Sequence, residues 1–161
     1  MYRKHLKIAV VLLALLGTLF TTAQAAAAPA GIDGTYGTTA TPPTRMTPVP
    51  DNGRVSCWGY YGTFMTGTHV MVVDWQTSSD ECFGIATDRT IWHAWPNSGG
   101  WKRMPGGGHA DFIYNLPYEQ PDGFRMVPVF ASTNGTYWCQ NYYPPTGYVS
   151  VGWTGDWYLC G

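Results

Sequence analysis

The chain has 161 residues and a formal net charge of −1, with 12% charged and 16% aromatic residues. This length suits a single domain. The lack of a basic surplus argues against a nucleic-acid partner, and the small charged fraction argues against a disordered acidic or basic tail.

The N-terminus is typical of a signal peptide. Residues 1–7 carry three basic residues, and the apolar run Ile8–Phe20 is too short to span a bilayer as a helix. Small residues at positions 23–25 and 28–30 offer cleavage sites. We therefore expect residues 1–30 to be removed, leaving a secreted, extracellular protein with no membrane segment.

The next segment, residues 31–50, is rich in Thr, Pro, Gly and Ala. It buries too little surface to offset its ordering entropy, so we expect a flexible leader. From residue 51 onward, β-branched and aromatic residues occur in short runs separated by Gly, Pro, Asn and Asp, without helical periodicity. We predict one all-β domain over residues 51–161, a small disulfide-bridged sandwich or barrel. The predicted strands are Val55–Tyr61, His69–Trp75, Thr90–Trp95, Arg125–Ala131, Thr136–Tyr143 and Tyr148–Trp153.

Two parts of this domain share a sequence pattern, in which seven identities recur at a constant shift of 82 residues. The identities pair Asn52-Gly53, Cys57, Tyr60-Tyr61 and Asp74-Trp75 with Asn134-Gly135, Cys139, Tyr142-Tyr143 and Asp156-Trp157. A second correspondence, at a shift of 46 residues, relates Thr87–Trp92 to Thr133–Trp138. The pattern indicates a duplication with copies at residues 51–82 and 134–160, although turn-plus-aromatic patterns also recur by chance in such proteins.

Four cysteines, Cys57, Cys82, Cys139 and Cys160, are expected to form two disulfides in an oxidising compartment. No C-x-x-C pair occurs, which argues against a zinc site. Three connectivities are possible. The repeat favours Cys57–Cys82 with Cys139–Cys160, because each copy would then hold its own disulfide.

One part of the chain resembles a known family. Residues 87–95 (TDRTIWHAW) and 100–107 (GWKRMPGG) resemble one blade of tectonin-type and related secreted β-propeller lectins, and residues 130–153 are similar but looser. The resemblance covers about 60 residues and implies blade-like hairpin repeats in a partial or oligomeric propeller. The chain holds two or three such units where a closed ring needs at least four, so a propeller would require a homo-oligomer.

The aromatic content carries the prediction of function. Eight Trp and eleven Tyr exceed what a domain of this size can bury, so some rings must face solvent. Exposed rings stack on the C–H faces of sugars, while neighbouring carboxylates and amides bind hydroxyl groups. We therefore expect non-catalytic, lectin-like binding of a glycan, without a metal or cofactor. The predicted ligand-binding residues are Trp58, Tyr60, Tyr61, Asp74, Trp92, Trp101, Gln140, Asn141, Tyr142, Tyr143 and Asp156.

Two alternatives stay open. The chain could inhibit an extracellular protease or glycosidase, its protein partner, by presenting the proline-containing segment Tyr114–Pro128. A polysaccharide or cell-wall hydrolase would rest on Glu81, Glu119 and His109, but we interpret both glutamates as solvated loop acids. His93 is interpreted as a packed strand residue. We assign no catalytic residue, and the balance favours a protein that is not an enzyme.

Overall fold

The computed structural model describes residues 40–147 and 151–161. The predicted signal peptide and residues 31–39 of the predicted leader lie outside these described residues. Within them, the only helical element is a 3-10 turn at Pro105–Gly107, which confirms the all-β prediction. No helix in this part of the chain is long and apolar enough to cross a membrane.

Thirteen antiparallel β-strands make up the described fold. They are β1 (Thr44–Pro48), β2 (Arg54–Cys57), β3 (Tyr60–Thr63), β4 (His69–Val73), β5 (Glu81–Ile85), β6 (Ile91–Ala94), β7 (Lys102–Arg103), β8 (Phe112–Ile113), β9 (Tyr118–Glu119), β10 (Arg125–Ala131), β11 (Thr136–Tyr143), β12 (Gly152–Trp153) and β13 (Tyr158–Leu159). One sheet has the order β1-β4-β5-β6-β7 and the other β12-β11-β10-β8, with β9 beside β10 and β13 beside β11. Strands β2 and β3 form a separate hairpin.

The two large sheets share one hydrophobic core. Buried side chains of β4, β5 and β6 form a single cluster with those of β8 and β10. This cluster contains Met71, Val73, Phe83, Ile85, Ile91, Ile113, Val127 and Val129. Of the eight tryptophans, only Trp75 is fully buried, and Trp58 is 40% exposed. The expectation that the fold leaves aromatic rings in contact with solvent is therefore confirmed.

Both predicted disulfides are confirmed. Cys57–Cys82 ties the β2–β3 hairpin to β5, and Cys139–Cys160 ties the C-terminal segment to β11. The bridged residues are 25 and 21 positions apart in sequence. In the chain-entropy model, loops of this length contribute about 3 kcal/mol each.

The correspondence at a shift of 46 residues is also a structural one. Between β5 and β6, the Thr90 hydroxyl donates to Asp88 Oδ1 (2.6 Å) and accepts from Trp92 Nε1–H (2.7 Å). Between β10 and β11, the Thr136 hydroxyl likewise bonds to Asn134 and accepts from the indole N–H of Trp138 (3.0 Å). A short Asx side chain thus caps each turn, and the first tryptophan of the next strand completes the chain of hydrogen bonds.

The correspondence at a shift of 82 residues is not accompanied by a common backbone. The first copy bends at Trp58-Gly59 to make the β2–β3 hairpin, with positive φ at both residues. The equivalent Gln140-Asn141 lies inside the continuous strand β11. A shared origin for the two segments stays a prediction.

The predicted leader extends too far into the domain. Residues 44–48 form β1, which pairs along its length with β4, and Val49 is buried. Strand β1 lies at the edge of its sheet, where proline is tolerated because the missing N–H need not join the ladder. Composition alone therefore gave the wrong state for these residues, since Thr- and Pro-rich sequence is compatible with an edge strand.

Candidate functional site

A polar cavity opens between the β5–β6 hairpin and the ends of β10, β11 and β12. We call it the Glu81–His93 pocket; its volume is about 230 Å³. It is lined by Ser78, Ser79, Glu81, His93, Trp95, Arg125, Tyr142 and Trp153. Rings and planar polar groups therefore face the same space.

Glu81 lies at the base of this pocket and is 5% exposed. Its Oε1 accepts from His93 Nδ1 (2.5 Å) and Trp153 Nε1 (3.1 Å), and its Oε2 accepts from Trp75 Nε1 (3.0 Å). A buried carboxylate is tolerated only when such donors replace water. The expectation that Glu81 is a solvated loop acid is wrong, because the residue opens strand β5 and every residue of that strand is buried.

His93 is held in one orientation by Glu81. It faces Phe83 across the β5–β6 pair, and its ring lies 5.0 Å from that of Trp95. A carboxylate only accepts hydrogen bonds, so Nδ1 is the donor, and in the neutral form of the ring the lone pair lies on Nε2. Within the described residues Nε2 makes no hydrogen bond, and it is not among the atoms sealed from solvent. His93 is packed in its strand, as predicted, yet one nitrogen is free for a ligand.

Arg125 supplies the positive charge of the pocket and is also 5% exposed. Its guanidinium lies between two rings, 5.1 Å from the Trp75 centroid and 4.8 Å from the Tyr142 centroid. One amino group donates to Thr77 Oγ1 at 3.4 Å, while Nε is 3.5 Å from Glu119 and makes no hydrogen bond in the described structure. Nε is sealed from solvent, but Nη1 makes no hydrogen bond within the described residues and is not among the sealed atoms, so Arg125 keeps one terminal amino group available to a ligand.

Glu119 does not line the pocket, but it holds in place a loop that does. Its carboxylate accepts from the backbone N–H groups of Gln76 (2.7 Å) and Thr77 (3.2 Å) and from the Thr77 hydroxyl (2.6 Å). It is 4% exposed, so its interpretation as a solvated loop acid is also wrong. These bonds fix the start of the loop that carries Ser78 and Ser79 to the pocket.

Three predicted ligand-binding residues meet in a second cavity, which we call the aromatic groove. Tyr61, Trp92 and Trp101 line it together with Phe64, and its volume is about 320 Å³. Tyr61 is 64% exposed, with the Arg54 guanidinium 4.3 Å from its ring centroid. Gly62 lets the rings approach, because a Cβ there would lie 2.5 Å from the Phe64 ring. The groove is chiefly aromatic and has few hydrogen-bonding side chains facing a ligand.

Most of the other predicted ligand-binding residues do not join either cavity. Trp58, Asp74 and Asp156 are exposed at separate positions, and Tyr60 contributes its carbonyl as the acceptor for Trp101 Nε1–H. Of the Gln140–Tyr143 group, only Tyr142 lines the Glu81–His93 pocket. The Tyr143 ring packs near Phe124.

Two residues of that group are engaged within the protein. Gln140 is fully buried and donates to the Pro105 carbonyl, so the prediction that it contacts a ligand is wrong. Asn141 Oδ1 accepts from the Tyr158 hydroxyl at 2.8 Å. Burial raises the pKa of Tyr158 above its usual value, so this hydroxyl stays protonated as a donor at neutral pH. Asn141 is therefore occupied as an acceptor.

The glycine run before His109 serves packing. Gly106 adopts a positive φ, and a Cβ there would collide with the Gly155 carbonyl. The Pro105 carbonyl accepts from Trp157 Nε1–H at 3.2 Å, which brings the C-terminal segment onto this turn. Among the residues that the structure describes, no group of three or more His, Cys, Asp or Glu side chains is arranged to hold a metal ion.

The segment proposed for an inhibitor is mostly tied into the second sheet. Tyr118–Glu119 forms β9 beside β10, and Glu119 is buried. The exposed parts of the segment are residues 114–116, with Leu116 53% exposed, and the turn at residues 121–122. The rigid presented loop is thus shorter than the predicted segment Tyr114–Pro128.

Seven of the eight residues that line the Glu81–His93 pocket were not predicted as ligand contacts: Ser78, Ser79, Glu81, His93, Trp95, Arg125 and Trp153. One pattern could have indicated three of them, because Glu81, His93 and Arg125 each border or interrupt an apolar strand in a chain with few charges.

Comparison with known proteins adds no assignment to this geometry. No protein-family model, curated protein or solved structure matches the chain. The resemblance to lectin blades therefore stays an expectation.

Proposed function

We propose that this chain is an exported carbohydrate-binding protein whose saccharide occupies the Glu81–His93 pocket. The observation that carries the proposal is the convergence, in one open cavity, of three ring-bearing walls with two nitrogens, Nε2 of His93 and Nη1 of Arg125, that make no hydrogen bond within the described residues and are not sealed from solvent. Ligand sites of this kind combine aromatic surface with a few placed polar groups. Two disulfides support an oxidising compartment, in line with the predicted signal peptide.

The walls of the pocket suit a sugar ring. Trp95, Tyr142 and Trp153 supply them, with the Tyr142 and Trp153 centroids 5.5 Å apart in an edge-to-face arrangement. An aromatic face stacks on the apolar C–H face of a pyranose, which excludes water while leaving hydroxyl groups at the ring edge. The cavity volume matches a single sugar ring rather than a long oligosaccharide.

The polar atoms suit hydroxyl groups, which both donate and accept. Arg125 offers N–H donors, His93 offers an acceptor at Nε2, and the serine hydroxyls can do either. Charge favours a neutral sugar over an acidic one, because the single guanidinium of the pocket already lies near the carboxylate of Glu119 and shares the cavity with the buried carboxylate of Glu81. A further anion would meet no surplus of positive charge.

Titration with neutral oligosaccharides tests the proposal, after a glycan array selects those that bind. We expect Trp95→Ala to raise Kd at least about tenfold, which is the scale of one lost ring contact. Tyr61→Ala, in the aromatic groove, is the matched control and should leave Kd unchanged. Isothermal calorimetry avoids the changed tryptophan fluorescence of the variant.

Two results would contradict this assignment. If the wild-type protein binds no array glycan above background, the carbohydrate function is wrong. If Tyr61→Ala weakens binding while Trp95→Ala does not, the protein binds sugar in the aromatic groove instead. Near-UV circular dichroism of each variant checks that the fold is retained.

A further inference from the structure

The hydrogen-bonded pair of His93 and Glu81 has a geometry that suits catalysis as well as ligand binding. A buried carboxylate holds Nδ1–H of the imidazole, while Nε2 is left toward an open cavity. A general base needs this geometry: a ring nitrogen with a free lone pair, oriented by a third group through the other nitrogen. Two indole N–H groups fix the carboxylate in turn, so the pair has little freedom to reorient.

We propose that the Glu81–His93 pocket hydrolyses an acyl ester carried by the bound saccharide, with His93 as the general base. The substrate class rests on the proposed function, since it is the saccharide that brings the ester to the pocket. The hydrolytic step itself rests on the His93, Glu81 and Arg125 geometry.

The step is balanced without a cofactor. Nε2 takes a proton from water as the water oxygen attacks the acyl carbonyl carbon, which forms a tetrahedral oxyanion. The bond from that carbon to the sugar oxygen then breaks, and the proton on Nε2 passes to the departing oxygen. The products are a free sugar hydroxyl and a carboxylic acid.

Arg125 is placed to stabilise the oxyanion. Its guanidinium lies between the rings of Trp75 and Tyr142 and lines the same cavity as His93, and its Nη1 makes no hydrogen bond within the described residues and is not sealed from solvent. A donor held in advance stabilises developing charge without reorganisation, and burial strengthens the interaction. Glu81 acts as a positioning residue, because it orients His93 rather than touching the reacting atoms.

Glycosidic cleavage fits this pocket less well than ester cleavage. Hydrolysis of a glycosidic bond ordinarily requires two carboxyl groups facing the bond from either side. Here both oxygens of Glu81 accept from protein N–H groups, and Glu119 bonds to the loop at Gln76–Thr77. In contrast, Nε2 of His93 makes no hydrogen bond within the described residues.

Hydrolysis of p-nitrophenyl acetate and release of acetate from partially O-acetylated oligosaccharides provide the test. We expect turnover by the wild-type protein and at least about a 100-fold loss of kcat in His93→Gln, the scale of general-base catalysis. His109→Gln is the matched control for non-specific imidazole catalysis, because His109 is exposed and lines a different cavity. It should retain full activity. Wild type no faster than a folded His93→Gln, or an equal loss in His109→Gln, would overturn the proposal.

A pH profile of the wild-type protein keeps the proposal testable even where His93→Gln fails to fold. The other ionisable groups around His93 are Glu81 on β5, Arg125 on β10 and Tyr142 on β11. A general base is inactive when it is protonated, so kcat/KM must fall as the pH is lowered, and a flat profile would refute the proposal. A protein that binds sugars without cleaving esters refutes only this inference. One that cleaves p-nitrophenyl acetate through His93 and binds no sugar refutes the proposed function and the saccharide substrate, but leaves the hydrolytic step at His93 standing.

Discussion

The hairpins β5–β6 and β10–β11 use the same turn chemistry but put different residues in the core. In each turn an Asx side chain, a threonine hydroxyl and a tryptophan N–H form one chain of hydrogen bonds. At the shift of 46 residues, Glu81 and His93 of the first hairpin correspond to Val127 and Cys139 of the second. The first hairpin thus carries a buried polar pair where the second carries an apolar residue and a disulfide.

The difference shows that turn chemistry and strand chemistry are set separately. The turn residues determine where the chain reverses direction, and the strand residues determine which side chains the hairpin places in the core. Even the register differs, because Ile85 pairs with Ile91 whereas Ala131 pairs with Thr136, one residue earlier than the shift implies. The same turn motif therefore occurs both in the β10–β11 hairpin, which carries a disulfide, and in the β5–β6 hairpin, which carries the candidate site.

The largest effect should come from breaking the polar pair of the first hairpin. Glu81→Ala leaves the N–H groups of Trp75, His93 and Trp153 without their acceptor. We expect a loss of about 3–5 kcal/mol in the free energy of unfolding, the range for breaking a buried polar pair. The midpoint of guanidinium unfolding measures it.

Gln140 is the matched buried polar residue of the second hairpin. Its amide donates to the Pro105 carbonyl, but its Oε1 has no partner among the described residues. Gln140→Met removes this unpaired oxygen along with one hydrogen bond, so we expect stability within about 1 kcal/mol of the wild type. Equal losses in the two variants would show that the polar pair is not what distinguishes the hairpins.

A smaller effect tests whether the two turns are equivalent. Thr90→Val and Thr136→Val keep the side-chain shape and remove the hydroxyl from the centre of each turn. Thr90 is buried, and its loss leaves the Trp92 N–H without an acceptor, although Asp88 keeps its bond from the backbone N–H of residue 90; we expect a loss of about 1–3 kcal/mol. Thr136 is only half-buried, so water can replace its hydroxyl and the loss should be about 1 kcal/mol or less. Thermal unfolding of both variants under one buffer condition compares them, and the reverse order would contradict burial as the cause.

The sequence was most informative where strands are long and uniform. The predicted bounds of β10 and β11 agree with the structure, because both are runs of β-branched and aromatic residues separated by a Ser-Thr-Asn-Gly turn. Strand β5 was missed. It reads Glu-Cys-Phe-Gly-Ile after a polar stretch, and its β structure comes from burial between β4 and β6 rather than from propensity.

The candidate site depends on contacts that spacing along the chain does not specify. Glu81 and His93 meet because β5 pairs with β6, which a hairpin prediction would have given had β5 been recognised. Arg125 and Tyr142 face each other across β10 and β11, and they reach His93 only because the second sheet packs against the first. The predicted pair Asp74 and Asp156 failed to meet a site for the same reason, since sequence identity at a fixed shift does not imply equivalent positions.

The smallest predicted effect concerns the link between the two turns. Asp111 accepts from the Ser132 hydroxyl beside the second turn and forms an ion pair of 2.8 Å with Arg89 of the first. The Ser132 bonds, and then the Arg89 charge, lower the pKa of Asp111 below its usual value. A carboxylate with a lowered pKa in the folded state contributes stability above its unfolded pKa and loses it as pH falls through the folded one.

Asp111→Asn should therefore destabilise the protein by at most about 1 kcal/mol at pH 7, because the ion pair is partly exposed and screened. The difference in Tm from the wild type should shrink as pH falls below about 4. Asp156→Asn is the control, since its exposed carboxylate makes none of these bonds. A Tm difference that stays constant from pH 7 to pH 2 would mean that the charge of Asp111 does not couple the hairpins.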